Sequence, residues 1–363
     1  MKVREITDAI EAFAPLHLQE SWDNAGMQVG DADTEVTGVL LCTDVREEII
    51  AEAIERGANL IISHHPLLFR GLKKVVGRTY QERIVAQAIK HDICIYCAHT
   101  NMDSARGGVN FKMAEKLGLD DVQVLEPQQG TLRKLVVFVP DEYVEDVEQA
   151  MCDAGAGQLG NYDNCSYRTE GEGQYRALKG AIPFAGNVGE FHVEPEIRLE
   201  VLVHKALCGR VVAAMLKAHP YEEPAFDIIA LDNVDRYAGL GVIGNIEPMY
   251  ARDFLERVKA AFEVEMLRFS GDLYKKVSRI ALCGGAGVEF IGAAMAQGAD
   301  VYITGDMKYH DFQGNEDRII LADIGHYESE HYTKEIFYDI IKKKNPTFAV
   351  DFARSEKNQV RYL

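Results

Sequence analysis

One short stretch, Leu60-Ile61-Ile62-Ser63-His64-His65-Pro66, joins a strand-forming apolar run to a pair of histidines and a proline. The proline ends the strand because it cannot continue the hydrogen-bonded ladder. In a mostly parallel α/β sheet, functional side chains collect at the carboxyl ends of the strands, which is where this pair stands. Neighbouring side chains of an extended segment point in different directions, so His64 and His65 suit two nearby metal ions better than one. The alternative at this point is a solvated histidine pair in a loop.

The composition narrows the class of protein. The chain has 363 residues, 47% of them hydrophobic, which is enough for two or three domains with sizeable cores. It has no apolar run near the ~18 residues of a membrane helix, and its first 16 residues lack the pattern of a secretory signal. We therefore expect no membrane partner. The net charge of −18 would repel a phosphate backbone, so we do not expect nucleic acid as a partner either. The seven scattered cysteines suit reduced thiols, which predicts a cytoplasmic location.

The histidine pair lies in a predicted strand–helix–strand unit. Residues 39–42 form an apolar strand, residues 47–56 form a helix that Gly57 ends, and residues 60–62 form the next strand. Asp44 stands near the start of the helix, and we interpret it as the N-cap. It also follows the carboxyl end of a strand beside the histidines, so a role near the metal ions stays open.

A second strand also ends in polar residues. A helix over residues 80–90 leads to a strand over residues 93–98, and this strand runs into the segment 99–103. Asp103 is the candidate oxygen ligand of that segment. His99 lies nearer the strand end, where we expect it to orient a ligand rather than to be one.

Three conspicuous side chains are assigned to structure rather than chemistry. Cys94 and Cys97 have the spacing of a redox or zinc motif. However, positions i and i+3 of a strand face opposite sides of the sheet, so the two sulfurs cannot share one metal ion and are interpreted as buried strand residues. The lone tryptophan, Trp22, is interpreted as a packing residue.

The composition changes at Glu126-Pro127, and a different pattern begins. Two strand–helix–strand passes with a hairpin-like middle predict an inserted α+β domain of the ferredoxin-like type over residues 126–235. The core is then split into residues 1–125 and 236–363. The link back to the core contains His219-Pro220-Tyr221-Glu222-Glu223-Pro224. We interpret this motif as a rigid turn, and the alternative is that it reaches towards the main site.

The first pattern returns after the insertion. Residues 282–283 and 300–303 can be laid without a gap on residues 41–42 and 59–62, so that strand matches strand and helix matches helix. In this match Asp306 falls opposite His65. We interpret the match as an internal duplication of the α/β core, with the metal site between its two halves.

Two further motifs follow in the second half. The backbone amides of the glycine-rich turn 284–287 could cradle an anion, although the turn lacks the lysine of a P-loop. The last predicted strand, residues 319–322, leads to His326 and Glu330, which are four residues apart and share one face of a helix. Three strand ends therefore carry side chains that can hold metal ions.

Six runs spread over nearly the whole chain are specific in combination. They are SWDNAGMQVGD (21–31), LIISHHPLLF (60–69), AHTNMD (98–103), HPYEEPAFDI (219–228), ADVYITGDMKYHDF (299–312) and DIGHYESE (323–330). Together they resemble the NIF-three-like proteins, which are also called GTP cyclohydrolase I type 2 homologues or dinuclear-metal hexameric proteins.

The resemblance implies a ligand set, an assembly and a relative for the inserted domain. The implied metal ligands are His64, His65, Asp103, His326 and Glu330. The implied assembly is a toroidal homohexamer, and the inserted domain looks like the PII and CutA proteins. No catalytic residue is implied, and His99, Asp44 and Asp306 are the candidates for holding the ligands in place.

The implied ligand set predicts two divalent metal ions per chain and no organic cofactor. Five nitrogen and oxygen ligands, one of them a carboxylate able to bridge, suit ions ~3.5–4 Å apart. Zinc, iron, manganese, cobalt and nickel all accept imidazole and carboxylate ligands. The first hypothesis is a metal-dependent hydrolase of a nucleotide-like or phosphorylated small molecule, with GTP ring opening as the named example. The alternatives are a non-enzymatic metal-handling or assembly protein and a regulatory scaffold that works through the inserted domain.

Overall fold

The computed structural model describes residues 1–313 and 318–361, which fold as two compact units. The core unit comprises Met1–Pro127 and Arg236–Leu363, and the inserted unit comprises Gln128–Asp235. The chain is a mixed α/β protein with three sheets among the described residues, so this level of the predicted fold class is confirmed. Within the same ranges we find no helix with the length and apolar character needed to span a bilayer.

The first half of the core unit alternates strands and helices. Its elements are α1 (Val3–Phe13), β1 (Gly26–Val29), β2 (Val39–Cys42), α2 (Glu47–Arg56), β3 (Leu60–Ser63), α3 (Tyr80–Lys90), β4 (Cys94–Cys97), α4 (Thr100–Ser104), α5 (Val109–Lys116) and β5 (Asp120–Gln128). Gly57 ends α2 as predicted, because its φ of 68° lies in the left-handed region that stops a helix.

Asp44 does not cap α2, and its interpretation as the N-cap is wrong. The N-cap position belongs to Arg46, and no side chain caps this helix. The Asp44 carboxylate lies two residues too early to reach the first free amides of the helix. It accepts a hydrogen bond from His65 Nδ1 instead, at 2.9 Å.

The inserted unit is a four-stranded antiparallel sheet with two helices. Its elements are β6 (Leu132–Pro140), α6 (Val144–Asp153), β7 (Ser166–Arg176), β8 (Phe191–His204), α7 (Cys208–Ala218) and β9 (Phe226–Ala230). The strand order is β7-β8-β6-β9. Alternate residues of the central strands β6 and β8, such as Val137 and Leu199, form one hydrophobic core with Val147 of α6 and Val211 of α7. The helices therefore cover one face of this sheet.

The second half of the core unit completes the chain. Its elements are β10 (Asp235–Tyr250), α8 (Ala251–Ala261), β11 (Arg268–Ser270), β12 (Lys276–Leu282), α9 (Ile291–Ala296), β13 (Val301–Thr304), β14 (Ile320–Asp323), α10 (His326–Glu330), α11 (Thr333–Lys344) and β15 (Val350–Phe352). Short 3₁₀ turns occur at Leu16–Leu18, Asp141–Tyr143, Lys205–Leu207, Val288–Phe290 and Tyr309–Phe312.

Two sheets form the core unit. The first has the strand order β1-β4-β3-β2-β15 and the second the order β11-β14-β13-β12-β10-β5. Strands β15, β2, β3 and β4 run parallel in the first sheet, as do β12, β13 and β14 in the second. The residues of β2, β3, β4, β13 and β14 are buried along their whole length, as expected for parallel strands covered on both faces.

The two core sheets use the same strand register at corresponding positions. Leu41 pairs with Ile62 in the first sheet, and Leu282 pairs with Ile303 in the second. These are the residues that the gapless sequence match lays on each other. The carboxyl ends of β3 and β13 therefore present corresponding residues at corresponding places.

A polar contact repeats in the same way. The Asn59 side chain accepts a hydrogen bond from the Thr37 amide at 2.8 Å. The Asp300 side chain accepts one from the Ser278 amide at 2.9 Å, and the sequence separation of 22 residues is the same. In both halves this bond anchors the residue immediately before the second strand of the pair.

The chain leaves and re-enters the core unit at neighbouring positions. A β-carbon placed on Gly239 would lie 2.1 Å from the Glu126 carbonyl oxygen and 2.9 Å from Pro127 Cα. The backbone before the insertion thus touches the backbone after it.

We therefore predict that replacing residues 128–235 by a short Gly/Ser linker leaves a soluble core unit with a cooperative thermal transition, measured by circular dichroism.

The matched control is a longer deletion, residues 120–235, which also removes β5 from the edge of the second sheet. We expect this product to lose cooperativity, since it uncovers the β10 edge. An insoluble product from the shorter deletion would show that the core unit does not fold without the insertion.

Candidate metal centre

Both halves of the core unit contribute side chains to one polar cluster. His64 and His65 follow β3, Asp103 lies on α4 after β4, and His326 and Glu330 are the first and last residues of α10. The ligand atoms fall into groups whose members lie within 4.8 Å of one another: His64, Asp103 and Glu330; His65, His326 and Glu330; and His64, His65 and His99. The structure thus brings together all five residues that the family resemblance names, as a candidate metal-binding cluster.

His64 presents an unpartnered nitrogen to two carboxylates. Its Nδ1 donates to the Ala98 carbonyl oxygen at 3.0 Å, which leaves Nε2 with the lone pair. That Nε2 is buried, makes no hydrogen bond, and lies 3.6 Å from both Asp103 Oδ1 and Glu330 Oε1. Asp103 Oδ1 is buried without a partner as well. A buried polar atom without a partner costs about 1–3 kcal/mol, and a cation among these three atoms would remove the cost.

The second group is more closely packed. His65 Nε2 and His326 Nε2 lie 2.9 and 3.0 Å from Glu330 Oε2 and 3.2 Å from each other. Ligands of one tetrahedral zinc ion, with bonds of about 2.0–2.1 Å, are separated by about 3.3 Å. The donor atoms and their spacing therefore fit a divalent ion of this size.

The two oxygens of Glu330 face different histidines. Oε1 faces His64, whereas Oε2 faces His65 and His326. Burial raises the pKa of Glu330, but the neighbouring imidazoles lower it further, and the net pKa lies well below the ordinary value. Burial and the Glu330 charge raise the pKa of Asp103 well above its ordinary value. A cation between the two carboxylates would relieve their repulsion.

Carboxylates hold three of the four imidazoles by Nδ1. The pairs are His65 with Asp44 at 2.9 Å, His326 with Asp306 at 2.8 Å and His99 with Asp23 at 2.8 Å. Burial lowers the pKa of His65 and His326, but bonds to Glu330 and the Nδ1 carboxylates raise the first well above its ordinary value and the second to about 9. Such carboxylate–histidine pairs are the usual support of metal-binding imidazoles. Asp44 and Asp306 thus contact the histidines as expected for residues that hold metal ligands in place.

The sequence reasoning missed Asp23. Its side chain is fully buried and accepts hydrogen bonds from His99 Nδ1 and the Thr100 amide. Burial raises the pKa of Asp23, but the bonds from His99 and Thr100 lower it to about 2. The only signal was an acidic residue in a polar loop 76 residues before His99, and no local pattern connects the two.

Trp22 packs on other rings as predicted, but at the surface rather than in the core. Its side chain is 57% exposed, whereas that of the neighbouring Asp23 is fully buried. The indole centroid lies 5.9 Å from the Phe69 ring, which is 46% exposed, and 6.2 Å from the His99 ring, which it meets edge-on. An accessible aromatic pair therefore lies beside the cluster.

Three of the four amides of the glycine-rich turn are already hydrogen-bonded, which counts against its interpretation as an anion cradle. Its amides are used inside the fold: those of Gly284, Gly285 and Gly287 donate to Asn110 Oδ1, Ser329 Oγ and Thr304 Oγ1. The turn needs glycine because it touches the cluster. A β-carbon on Gly285 would lie 2.2 Å from Glu330 Oε1.

The two cysteines that have the spacing of a zinc motif lie outside the cluster. Cys94 and Cys97 are both buried on β4 and neither is in a disulfide. The Cys97 thiol donates to the His64 carbonyl oxygen at 3.0 Å, so it supports the backbone of the histidine pair.

Comparisons with known proteins point to one family. The sequence model of the family described as Duf34/NIF3 (NGG1p interacting factor 3) matches residues 1–359. A Halalkalibacterium halodurans protein named GTP cyclohydrolase 1 type 2 homolog is 42% identical over 307 residues, which cover 84% of this chain and 82% of that protein. A Bacillus subtilis protein of the same name is 38% identical over 343 residues, which cover 94% and 91%.

A solved structure agrees with these matches. The crystal structure of a Bacillus cereus protein related to NIF3 is similar to this chain with a TM-score of 0.84 and 37% sequence identity. The similarity covers 100% of this chain and 99% of that one.

We expect zinc to raise the Tm of the chelator-treated protein, because an ion would give His64 Nε2 and Asp103 Oδ1 a partner. Free zinc at a concentration 1,000 times its Kd would add about 4 kcal/mol to the free energy of unfolding. The gain in Tm, measured by differential scanning fluorimetry, should shrink in Asp103→Asn and stay unchanged in the control Asp253→Asn, which alters an exposed residue of α8. An equal gain in both variants would contradict the role of Asp103.

Proposed function

We propose that this chain, which belongs to the Duf34/NIF3 family, binds two divalent metal ions and uses them to hydrolyse a nucleotide-like or phosphorylated small molecule. The observation that carries the proposal is the buried Glu330 carboxylate, whose oxygens face two separate groups of ligand atoms. One ion would lie among His64, Asp103 and Glu330, and the other among His65, His326 and Glu330.

Two ions fit the histidine pair better than one. His64 and His65 each have Nδ1 occupied by a hydrogen bond, to Ala98 and Asp44 respectively, so each offers only Nε2. The two rings are tilted by 44° with centroids 5.0 Å apart, and their Nε2 atoms approach different oxygens of Glu330. This arrangement supports a bridging carboxylate between ions ~3.5–4 Å apart.

The finer features of the fold belong to the same proposal. The equal registers of the two core sheets support a duplicated α/β core, with the metal centre between its halves. The strand order β7-β8-β6-β9 and the two helices of the inserted unit support a ferredoxin-like domain of the PII/CutA type. The proposed domains are residues 1–125, 126–235 and 236–363. The toroidal homohexamer and the cytoplasmic location stay predictions.

The donor set favours an anionic substrate. Neutral imidazoles and two carboxylates, Asp103 and Glu330, would leave part of the charge of two divalent ions uncompensated. Zinc, iron, manganese, cobalt or nickel would all supply Lewis-acid activation of water at such a site. The net charge of −18 opposes this attraction only weakly, since distant surface charges are screened over ~8 Å in physiological salt.

His99 is the residue that we propose for proton transfer. Its Nδ1 is fixed by the buried Asp23, and its ring lies 5.3 and 5.5 Å from the rings of His64 and His65. A histidine held by a carboxylate beside the reacting groups can act as a general acid or base. Among the described residues it is the one cluster imidazole outside the implied ligand set.

The exposed ring of Trp22 gives the proposal its substrate class. With Phe69 it offers an apolar surface beside His99, and a planar base can stack on such a surface. The relatives named GTP cyclohydrolase 1 type 2 homolog make GTP the first compound to test. A nucleotide would place its base on the aromatic pair and its phosphates near the positive charge of the ions.

We predict two divalent ions per chain in protein made in metal-replete medium, measured by elemental analysis. His65→Ala should lose one ion, because of the two proposed ions it would hold only the one shared with His326 and Glu330. The control His310→Ala changes an exposed histidine outside the cluster and should keep both ions. A stoichiometry that never exceeds one would rule out the dinuclear proposal.

We predict metal-dependent turnover of a nucleotide or phosphoester, screened with the wild type, Glu330→Gln and the chelated protein. Glu330→Gln keeps the shape of the side chain but removes the bridging charge, so kcat should fall about 100-fold or more. Trp22→Ala should raise KM for nucleotides with less effect on kcat, because it removes a binding surface. If no turnover depends on added metal and Glu330→Gln alters only metal content or stability, the metal-handling alternative replaces the enzyme.

A further inference from the structure

The inserted unit contains a cavity of about 680 Å³, and all of its lining residues lie between Phe138 and Ala225. Phe138 and Arg198 face it from the central strands. Their strand neighbours Val137 and Leu199 pack in the core beneath the two helices. Because successive strand residues face opposite sides of a sheet, the cavity lies on the face that α6 and α7 do not cover.

A nearly buried carboxylate stands inside the cavity. Glu196 is 9% exposed, and its Oε1 accepts a hydrogen bond from the Tyr221 hydroxyl at 2.8 Å. Gly171 pairs with Glu196 across the ladder, and a β-carbon on Gly173 would lie 2.2 Å from Glu196 Oε2. Glycine inside a strand often marks a place where another group approaches closely. Here glycines on β7 leave room around the carboxylate.

Three aromatic side chains line the same cavity as this carboxylate. The Tyr221 ring lies 6.2 Å from the Tyr175 ring and 5.4 Å from the Phe184 ring. Burial and the bond to Glu196 raise the pKa of Tyr221 above its ordinary value, so its hydroxyl stays a donor. Aromatic faces around a carboxylate form the arrangement that binds alkylated ammonium groups.

The cavity is covered by the segment 177–190, which connects β7 to β8. The Ile182 amide donates to Glu222 Oε1 at 3.0 Å, and the Tyr175 hydroxyl donates to the Ala185 carbonyl oxygen at 2.8 Å. These two bonds hold the segment over the carboxylate. They also hold Phe184, which lies between them in sequence, against the Tyr221 ring.

The motif His219–Pro224 builds one wall of the cavity. His219 Nε2 donates to the Phe138 carbonyl oxygen at 2.9 Å, and its Nδ1 accepts from the Tyr221 amide at 3.1 Å. The histidine therefore fixes the turn that aims Tyr221 at Glu196 and Glu222 at the covering segment. The motif is a rigid turn that positions cavity-lining residues within the inserted unit.

The charge of the cavity is negative where its side chains face inward. Arg198 Nε donates to Glu200 Oε1 at 2.8 Å, a carboxylate that it shares with Lys134, and its guanidinium lies over the Phe138 ring. Arg176 follows Tyr175 on β7, so its side chain points to the other face, where it lies over the Phe191 ring. Glutamates outnumber arginines among the residues that line the cavity, and Glu196 is the one buried between the strands.

We propose that this cavity is a binding site for a small organic cation that carries an alkylated ammonium group. The ammonium group would lie between the Tyr175, Phe184 and Tyr221 rings and next to Glu196, with the remaining apolar part beneath the segment 177–190. The proposal rests on the inserted unit alone and does not depend on the metal centre.

The test is isothermal titration of the full chain with choline and with its neutral isostere 3,3-dimethyl-1-butanol, which has the same shape without the charge. We expect saturable binding of choline and about tenfold or weaker binding of the alcohol. Glu196→Gln keeps an acceptor for the Tyr221 hydroxyl but removes the charge, so it should weaken choline about tenfold and leave the alcohol unchanged. The control Glu145→Gln makes the same charge change on α6, on the other face of the sheet.

A second variant keeps the proposal testable if Glu196→Gln does not fold. Phe184→Leu keeps apolar volume in the exposed covering segment but removes an aromatic face, and it should weaken choline without lowering the Tm. Equal binding of choline and the alcohol, or unchanged choline binding in Glu196→Gln, would overturn the proposal. So would the absence of binding of both choline and benzyltrimethylammonium at millimolar concentrations.

Discussion

The buried carboxylate of Glu330 is the group on which the arrangement of the core unit depends. It is 3% exposed, and a buried charge is tolerated only where opposite charges and hydrogen bonds surround it. Its partners come from both halves of the sequence: His64 and His65 from the end of β3, and His326 from its own helix. The carboxylate is therefore satisfied only when the two sheets are assembled. The tight approach of the Gly285 backbone to its Oε1 completes this enclosure.

The sequence was informative wherever function and local pattern coincide. The apolar run before His64 predicts a buried parallel strand, and the spacing of His326 and Glu330 predicts one helical face, as the structure has them. The recognition of the family on its combined motifs is confirmed. These predictions succeed because the hydrophobic periodicity of a strand or helix, and the residues that end it, can be read from neighbouring residues.

The predictions failed where a side chain has two competing partners or a distant one. Asp44 has the type and place of a helix cap, but a histidine 21 residues away takes its carboxylate. Three amides of the glycine-rich turn donate hydrogen bonds to side chains from elsewhere in the fold, so these three are not free to bind an anion. Asp23 pairs with His99 across 76 residues, and that pairing exists only after β1 and β4 have come together. Long-range pairing of this kind leaves no local pattern in a single sequence.

The two units of the chain offer different chemistry. The core unit gathers imidazoles and carboxylates that suit divalent ions, while the inserted unit has a cavity lined by a nearly buried carboxylate and aromatic side chains. Each set of contacts closes within its own unit. The two proposed sites therefore share no residues, and each can be tested by variants that leave the other intact.

Anomalous diffraction from crystals grown with zinc tests the dinuclear centre most directly. The account predicts two anomalous peaks ~3.5–4 Å apart, with Glu330 bridging them, His64 and Asp103 on one peak and His65 and His326 on the other. A single peak bound by both His64 and His65, or two peaks without Glu330 between them, would contradict it.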